Sequence, residues 1–241
     1  MILEQITKHV YVFTTDSERD RPNLGYINGR DFSVIIDSGN SRDHLNAFLR
    51  AIKEKGLKSP SICILTHWHW DHTYGLHAFN GMSIASKDTN DMLLEMSEWK
   101  WDRDSMNARL STGTECQFCH DYIQVEYDNP LDIKVVPATL SYKDEMSINL
   151  GNLEIDITRV DSPHTNDGSL VFINKDNVLF AGDNDSGDFY ALQGGYVKQK
   201  FYDYVDRVKD LPFEYYVHGH VPVMTKEQTK EFWKTIEAEE L

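Results

Sequence analysis

His67-Trp68-His69-Trp70-Asp71-His72 places three imidazoles and a carboxylate within six residues, directly after the short apolar run from Ser61 to Leu65. The spacing restricts the backbone. On a helix, residues two apart lie about 200° apart around the axis, so His67 and His69 could not face one ion. On an extended or curled segment they share a side. Imidazole nitrogen with carboxylate oxygen is a borderline-soft donor set, suited to Zn²⁺ and also to Mn²⁺ or Fe²⁺. The stretch reads as a metal-binding loop at a strand end, in preference to a polar loop with unrelated histidines.

One loop cannot complete the coordination of two ions, so partners are expected at other strand ends. His164 follows the apolar stretch Leu153 to Val160, Asp183 follows Val178-Leu179-Phe180-Ala181-Gly182, and His220 follows Tyr215-Tyr216-Val217-His218-Gly219. In α/β proteins, sites gather outside the carboxyl ends of strands, and all three residues fall there.

The rest of the chain alternates between strand and helix patterns. Strands are expected at Val10 to Phe13, Leu24 to Ile27, Phe32 to Ile36, Ser61 to Leu65, Met82 to Ala85, Ile133 to Val136, Met146 to Leu150, Leu153 to Val160, Leu170 to Ile173, Val178 to Phe180 and Tyr215 to Val217. Asn28-Gly29 and Asp176-Asn177 are turn signals between pairs of these. Ser41 caps a helix that runs to about Lys55, with Gly56 at its end. Residues 88 to 127 read as mainly helical, broken at Ser111-Thr112-Gly113. Further helices are expected from Val197 to Lys209 and from Lys226 to about Ala238. Strands followed by helices in each half imply an α/β arrangement of sheets covered by helices.

The ordered set His67, His69, Asp71, His72, His164, Asp183 and His220 resembles the metallo-β-lactamase superfamily, in which a His-x-His-x-Asp-His loop is followed by a distant His, an Asp and a final His. Asp37-Ser38-Gly39 resembles an Asp-containing element near that family's site. The resemblance spans roughly residues 10 to 225. It implies one domain over residues 1–241 with a helical insertion at about 88–127, folded as a four-layer αββα sandwich of two mixed sheets. It implies two divalent ions, zinc foremost, with His67, His69 and His164 on the first and Asp71, His72 and His220 on the second, Asp183 bridging. Asp37 and His218 would stand behind the ligands. Paired ions of this kind act as Lewis acids and lower the pKa of water towards about 7. Asp71 is then the candidate catalytic residue, orienting the nucleophile or passing a proton to the leaving group. No Gly-x-Ser-x-Gly elbow is present, in keeping with hydrolysis without a protein nucleophile.

Within the family, His72 together with Asp183 resembles the glyoxalase II and lactonase branches more than the β-lactam-hydrolysing enzymes, which mostly carry Cys at the Asp183 position. The expected reaction is cleavage of a small-molecule ester, thioester or lactone. Alternatives on the same scaffold are an iron-dependent oxidoreductase similar to persulfide dioxygenases, a phosphodiesterase, and a non-catalytic metal-binding or ligand-sensing module. The chain runs only some twenty residues beyond His220, too few for a glyoxalase II-like helical domain.

Composition narrows the partners. The 241 residues carry a formal net charge of −15 with no basic cluster, which disfavours nucleic acid. No secretory leader or membrane-length apolar stretch is visible, and three cysteines are too few for a disulfide framework, so the cytoplasm is expected and the oligomeric state left open. Trp68, Trp70, Trp99, Trp101, Phe118 and Tyr122 are candidates for an aromatic substrate pocket roofed by the insertion, with ordinary helical packing as the alternative. Cys116-Gln117-Phe118-Cys119-His120 matches the haem-attachment pattern literally. Incidental residues on a helix are the favoured reading, with a small zinc site or redox pair as alternatives.

Overall fold

Alternation within the strands decides how the chain layers, because successive side chains on a strand point to opposite faces. In Ser33–Ile36, Val34 and Ile36 join one apolar cluster and Ile35 another. In Val178–Gly182, Val178 and Phe180 face one way, Leu179 and Ala181 the other. Both faces of each sheet are therefore covered. The computed structural model describes residues 1–241.

The first sheet contains β1 (Leu3–Gln5), β2 (Val10–Phe13), β3 (Leu24–Asn28), β4 (Ser33–Ile36), β5 (Ile62–Ile64), β6 (Met82–Ser86) and β7 (Leu140–Tyr142), in that spatial order. Pairing is antiparallel from β1 to β4 and parallel from β4 to β7. The parallel part requires crossovers. These are α1 (Arg42–Glu54) between β4 and β5, the short α2 (Trp70–Thr73) between β5 and β6, and the run α3 (Lys87–Ser97), α4 (Arg103–Thr112) and α5 (Gln117–Glu126) between β6 and β7. Ser41 caps α1, its side chain accepting from the His44 backbone N–H, and Gly56 follows at φ 69°.

The second sheet has the order β13-β12-β11-β10-β9-β8 and is built from β8 (Glu145–Asn149), β9 (Glu154–Arg159), β10 (Ser169–Ile173), β11 (Val178–Gly182), β12 (Tyr215–His218) and β13 (Met224–Thr225). Only β11 and β12 pair in parallel. The crossover between them holds α6 (Phe189–Leu192) and α7 (Lys198–Val208), and α8 (Lys226–Glu239) follows β13. No helix is long and apolar enough to cross a membrane.

Three apolar clusters give the layer order. One, between the sheets, joins Val10, Ile27, Ile36 and Ile64 to Ile155, Val171, Phe180 and Val217. Another packs Leu45, Phe48, Leu93 and Ile123 of the helices onto the first sheet, and the third packs Phe201, Tyr204 and Trp233 onto the second. The result is the expected four-layer αββα sandwich of the α/β class.

Two local expectations fail. Ile133 to Val136 forms no strand; Ile133 and Val135 are buried against the helices, and pairing with β6 begins only at Leu140. Apolar alternation there reports burial, which an irregular segment satisfies equally well. The helical stretch is also interrupted twice, at residues 98–102 as well as at 113–116, because Asp102 is a strong N-cap that accepts from the Ser105 backbone N–H.

Candidate metal centre

Five strand ends at one rim contribute. Asp37 follows β4, His67 follows β5, His164 lies beyond β9, Asp183 follows β11, and His218 closes β12 two residues before His220. The loop after β5 is irregular as far as His69 and then enters α2, so Asp71 and His72 sit on a helical turn instead of continuing the loop.

The structure brings the seven expected residues together in two groups. His67, His69 and His164 form one; Asp71, His72, Asp183 and His220 form the other, the donor atoms within each lying within 4.8 Å of one another. In the first, His69 Nδ1 stands 3.1 Å from His67 Nε2 and 2.7 Å from His164 Nε2. In the second, Asp71 Oδ2 is 3.0 Å from His220 Nε2 and 3.1 Å from His72 Nε2. Asp183 Oδ2 reaches both groups, at 3.2 Å from His220 Nε2 and 3.9 Å from His164 Nε2.

The hydrogen bonds behind the imidazoles fix which nitrogens face inward. Thr66 Oγ1 donates to Asp37 Oδ2 at 2.8 Å, so it accepts from His67 Nδ1 at 3.0 Å, leaving the His67 Nε2 lone pair turned inward. His164 Nδ1 donates to the Gly187 carbonyl at 2.7 Å and His72 Nδ1 to Asp37 Oδ2 at 2.7 Å, with the same consequence for their Nε2 atoms. His72 Nε2 and Asp183 Oδ1 are buried with no hydrogen-bond partner. Converging lone pairs and orphaned acceptors repel one another unless cations lie among them, so this donor set fits divalent metal ions.

Electrostatics separate the groups. Burial, reinforced by the neighbouring imidazoles, holds His67 and His69 well below the ordinary histidine pKa and so neutral. Burial opposes charge on His72 and His220 too, but without a metal Asp71 and Asp183 overcome it and hold both well above, so a proton stands at the inward nitrogen where a bound cation would replace it. The same pairs pull Asp71 and Asp183 down against their burial.

Asp37 and His218 both stand behind the ligands. Asp37, at φ 60°, also accepts the Thr66 backbone N–H at 2.7 Å and so braces His67 and His72 together. His218 turns away from the centre: Nδ1 accepts the His220 backbone N–H at 2.9 Å and Nε2 meets Ser186 Oγ at 2.9 Å.

A cavity of about 270 Å³ opens beside the two groups. Of the expected aromatic residues, Trp70, Phe118 and Tyr122 line it; Trp68, Trp99 and Trp101 do not. Trp68 packs edge-on to His69, 4.5 Å between centroids, and against Tyr190 at 4.7 Å. Trp99 and Trp101 both pack against the Arg109 guanidinium at 4.6 Å, which a cation–π contact explains without a substrate. Within the insertion, α5 alone supplies the cavity wall.

Several residues of the site have no pattern in the sequence. Phe189 stacks on Phe118 with 4.7 Å between centroids, and Ser186 also lines the cavity. Tyr190 lies over His69 at 5.0 Å and donates to Glu115 Oε1 at 3.0 Å. Burial pushes Glu115 up to about 7. Asp20, at φ 52°, lines the cavity 3.6 Å from His220 Nδ1, and burial with the Asp71 charge pushes it up to about 7. It comes from the charged stretch Ser17-Glu18-Arg19-Asp20-Arg21, which resembles ordinary surface in sequence.

Known proteins share this frame. The acyl-coenzyme A thioesterase MBLAC2 of Homo sapiens is 24% identical over 177 residues, covering 68% of this chain and 58% of that protein; its Bos taurus counterpart matches equally. The chain thus spans less than two-thirds of the length of these curated relatives. A metallo-beta-lactamase from Pontibacter korlensis superposes with a TM-score of 0.68 at 14% identity, covering 98% of each chain. The sec-alkylsulfatase Pisa1 from Pseudomonas sp. gives 0.68 at 14%, over 97% of this chain and 40% of that one. At these identities the structural likeness is one of fold. The sequence profile of the metallo-beta-lactamase superfamily matches residues 18–220, which takes in every residue of the two groups, and the chain belongs to that superfamily.

Proposed function

We propose that this protein is a metal-dependent hydrolase acting on a small, uncharged ester, thioester or lactone. The observation that carries the reading is the placement of two facing donor groups, joined by Asp183, on the wall of a ring-lined cavity that has no lysine or arginine.

His67, His69 and His164 would hold one ion and Asp71, His72 and His220 the other, with Asp183 between; nitrogen and oxygen donors favour zinc. Bound ions of this class supply Lewis acidity and lower the pKa of water. The chain's own residues do the rest. Asp71 reaches the cavity and is held by His72 and His220, a position from which its carboxylate can orient the attacking water and hand a proton to the leaving group. Asp37, Thr66 and the Gly187 carbonyl keep the imidazole lone pairs inward through the reaction. Phe118, Tyr122 and Phe189 offer apolar surface for an acyl or ring substituent.

Away from the ions the wall offers no lysine or arginine, and it carries Asp20, so a second anionic group remote from the scissile bond would find no partner here. The distant thioesterase relative supports acyl transfer to water. Three free cysteines suit a reducing compartment, and we place the protein in the cytoplasm.

A panel of matched neutral and anionic thioesters, lactones, esters and phosphodiesters tests the proposal, with metal-loaded and chelator-treated protein. Turnover of neutral acyl substrates that is abolished by chelation and by Asp71→Ala is expected. Turnover that survives chelation, or that favours phosphodiesters, would overturn it.

A further inference from the structure

The Cys-x-x-Cys pair lies outside the centre described above, and the structure gives it a third donor. Helix α4 ends at Gly113 in the left-handed region (φ 74°), and the Glu115 backbone N–H returns to the Arg109 carbonyl at 3.2 Å. That turn sets Glu115 directly before Cys116, the N-cap of α5, whose sulfur accepts the Cys119 backbone N–H at 3.2 Å. The Glu115 carboxylate and both sulfurs end within 4.8 Å of one another. Glu115 and Cys119 are buried and Cys116 is half-buried.

The carboxylate is the informative member. It is 4% exposed, yet no lysine, arginine or histidine lies within ion-pair distance; its one side-chain partner is the Tyr190 hydroxyl. Arg109 acts on it only through space, without an ion pair, and burial still raises its pKa; two sulfurs beside it make three donors for a cation. The pair is unequal: the hydrogen bond between the sulfurs holds Cys116 below the ordinary thiol pKa and Cys119 well above it, and the Glu115 charge beside them raises both. We propose that Glu115, Cys116 and Cys119 bind a thiophilic divalent ion of the zinc class, separate from the histidine–aspartate centre.

Two thiolates with one carboxylate exclude magnesium and calcium, which take oxygen alone. Binding releases both thiol protons to solvent, and the carboxyl proton where Glu115 holds one, leaving M²⁺ on two thiolates and the carboxylate. The consequence reaches the cavity. Cys119 lines it beside Phe118 and Tyr122, and Tyr190, bonded to Glu115, stacks on His69. An ion here would pin the first turn of α5 and, through Tyr190, the ring behind one histidine of the main centre.

Titrating the reduced, metal-free 241-residue chain with Co²⁺ under anaerobic conditions tests the site. The expected result is a near-ultraviolet thiolate-to-cobalt charge-transfer band, absent in the Cys116→Ser, Cys119→Ser double variant and weakened in Glu115→Gln. The double variant should bind one equivalent of Zn²⁺ fewer than the wild type. Zn²⁺ should also slow alkylation of Cys116 in the unmutated chain by about tenfold or more, a reading that needs no variant to fold. No charge-transfer band together with equal alkylation rates would overturn the proposal. So would a Cys116–Cys119 disulfide formed by glutathione disulfide at the same rate with and without Zn²⁺. Loss of the equivalents held by histidine and aspartate alone would leave the band in place and count only against the proposed function.

Discussion

Individual residues around the centre matter through what they hold in place. Asp37 does not line the cavity beside the two groups, yet it orients His72 directly and His67 through Thr66. Replacing it with the near-isosteric Asn removes the charge and weakens both bonds. We expect Asp37→Asn to lower metal affinity about 10–100-fold, read by chelator competition. Unchanged affinity would mean that the imidazoles need no such brace. Gly219 is equally specific. A Cβ there would stand 2.0 Å from Asp183 Oδ1 and 3.1 Å from His72 Cε1, so Gly219→Ala must displace the Asp183 carboxylate. Its expected outcome is loss of metal from the Asp71–His72–His220 group, measured by metal content, with circular dichroism unchanged. The seven ligand candidates were legible because dense histidine–aspartate spacing at strand ends is rare in sequence. Asp20 and Tyr190 were not: their role arises from loops that fold back over the rim, and nothing local marks them.

At the level of elements, strands and capped helices were largely readable, since periodicity and Ser, Asp and Gly caps are local signals. What escaped were features fixed by tertiary contact. The segment after Ile133 has a strand's apolar content without a neighbour to pair with, and Trp99 and Trp101 were drawn from the cavity by Arg109. Helix α5 is the element that shapes the pocket. Phe118→Ala should raise KM for substrates with apolar acyl groups by about tenfold, with kcat little changed, because it removes contact surface of roughly 1–2 kcal/mol remote from the reacting atoms. An equal fall in kcat would place α5 in the chemistry instead. At the other side of the rim, Ser41→Ala removes the cap of α1 and a contact to Glu126; a loss of about 1–2 kcal/mol in urea unfolding is expected.

Across the whole molecule, two sheets pressed together deliver distant residues to one edge, and the energy of that packing holds apposed charges that would otherwise separate. Metal-free protein should accordingly depend on pH through Glu115, whose pKa rises from 4.5 to about 7 on folding. Below pH 4.5 both states are protonated and nothing is lost. Between 4.5 and 7 the unfolded chain releases the proton that the folded chain keeps, so stability falls as pH rises and then levels. Glu115→Gln should remove that decline, gaining on the order of 1–3 kcal/mol relative to wild type between pH 4 and pH 8 in chelator. A parallel profile for the two proteins would contradict it. The central claim, that residues from 67 to 220 jointly hold paired metal ions, is tested most directly by anomalous diffraction from crystals of metal-loaded protein. Two peaks are expected at the cavity wall, one among His67, His69 and His164 and one among Asp71, His72 and His220, with Asp183 touching both. A single peak elsewhere, or none at this rim, would contradict it.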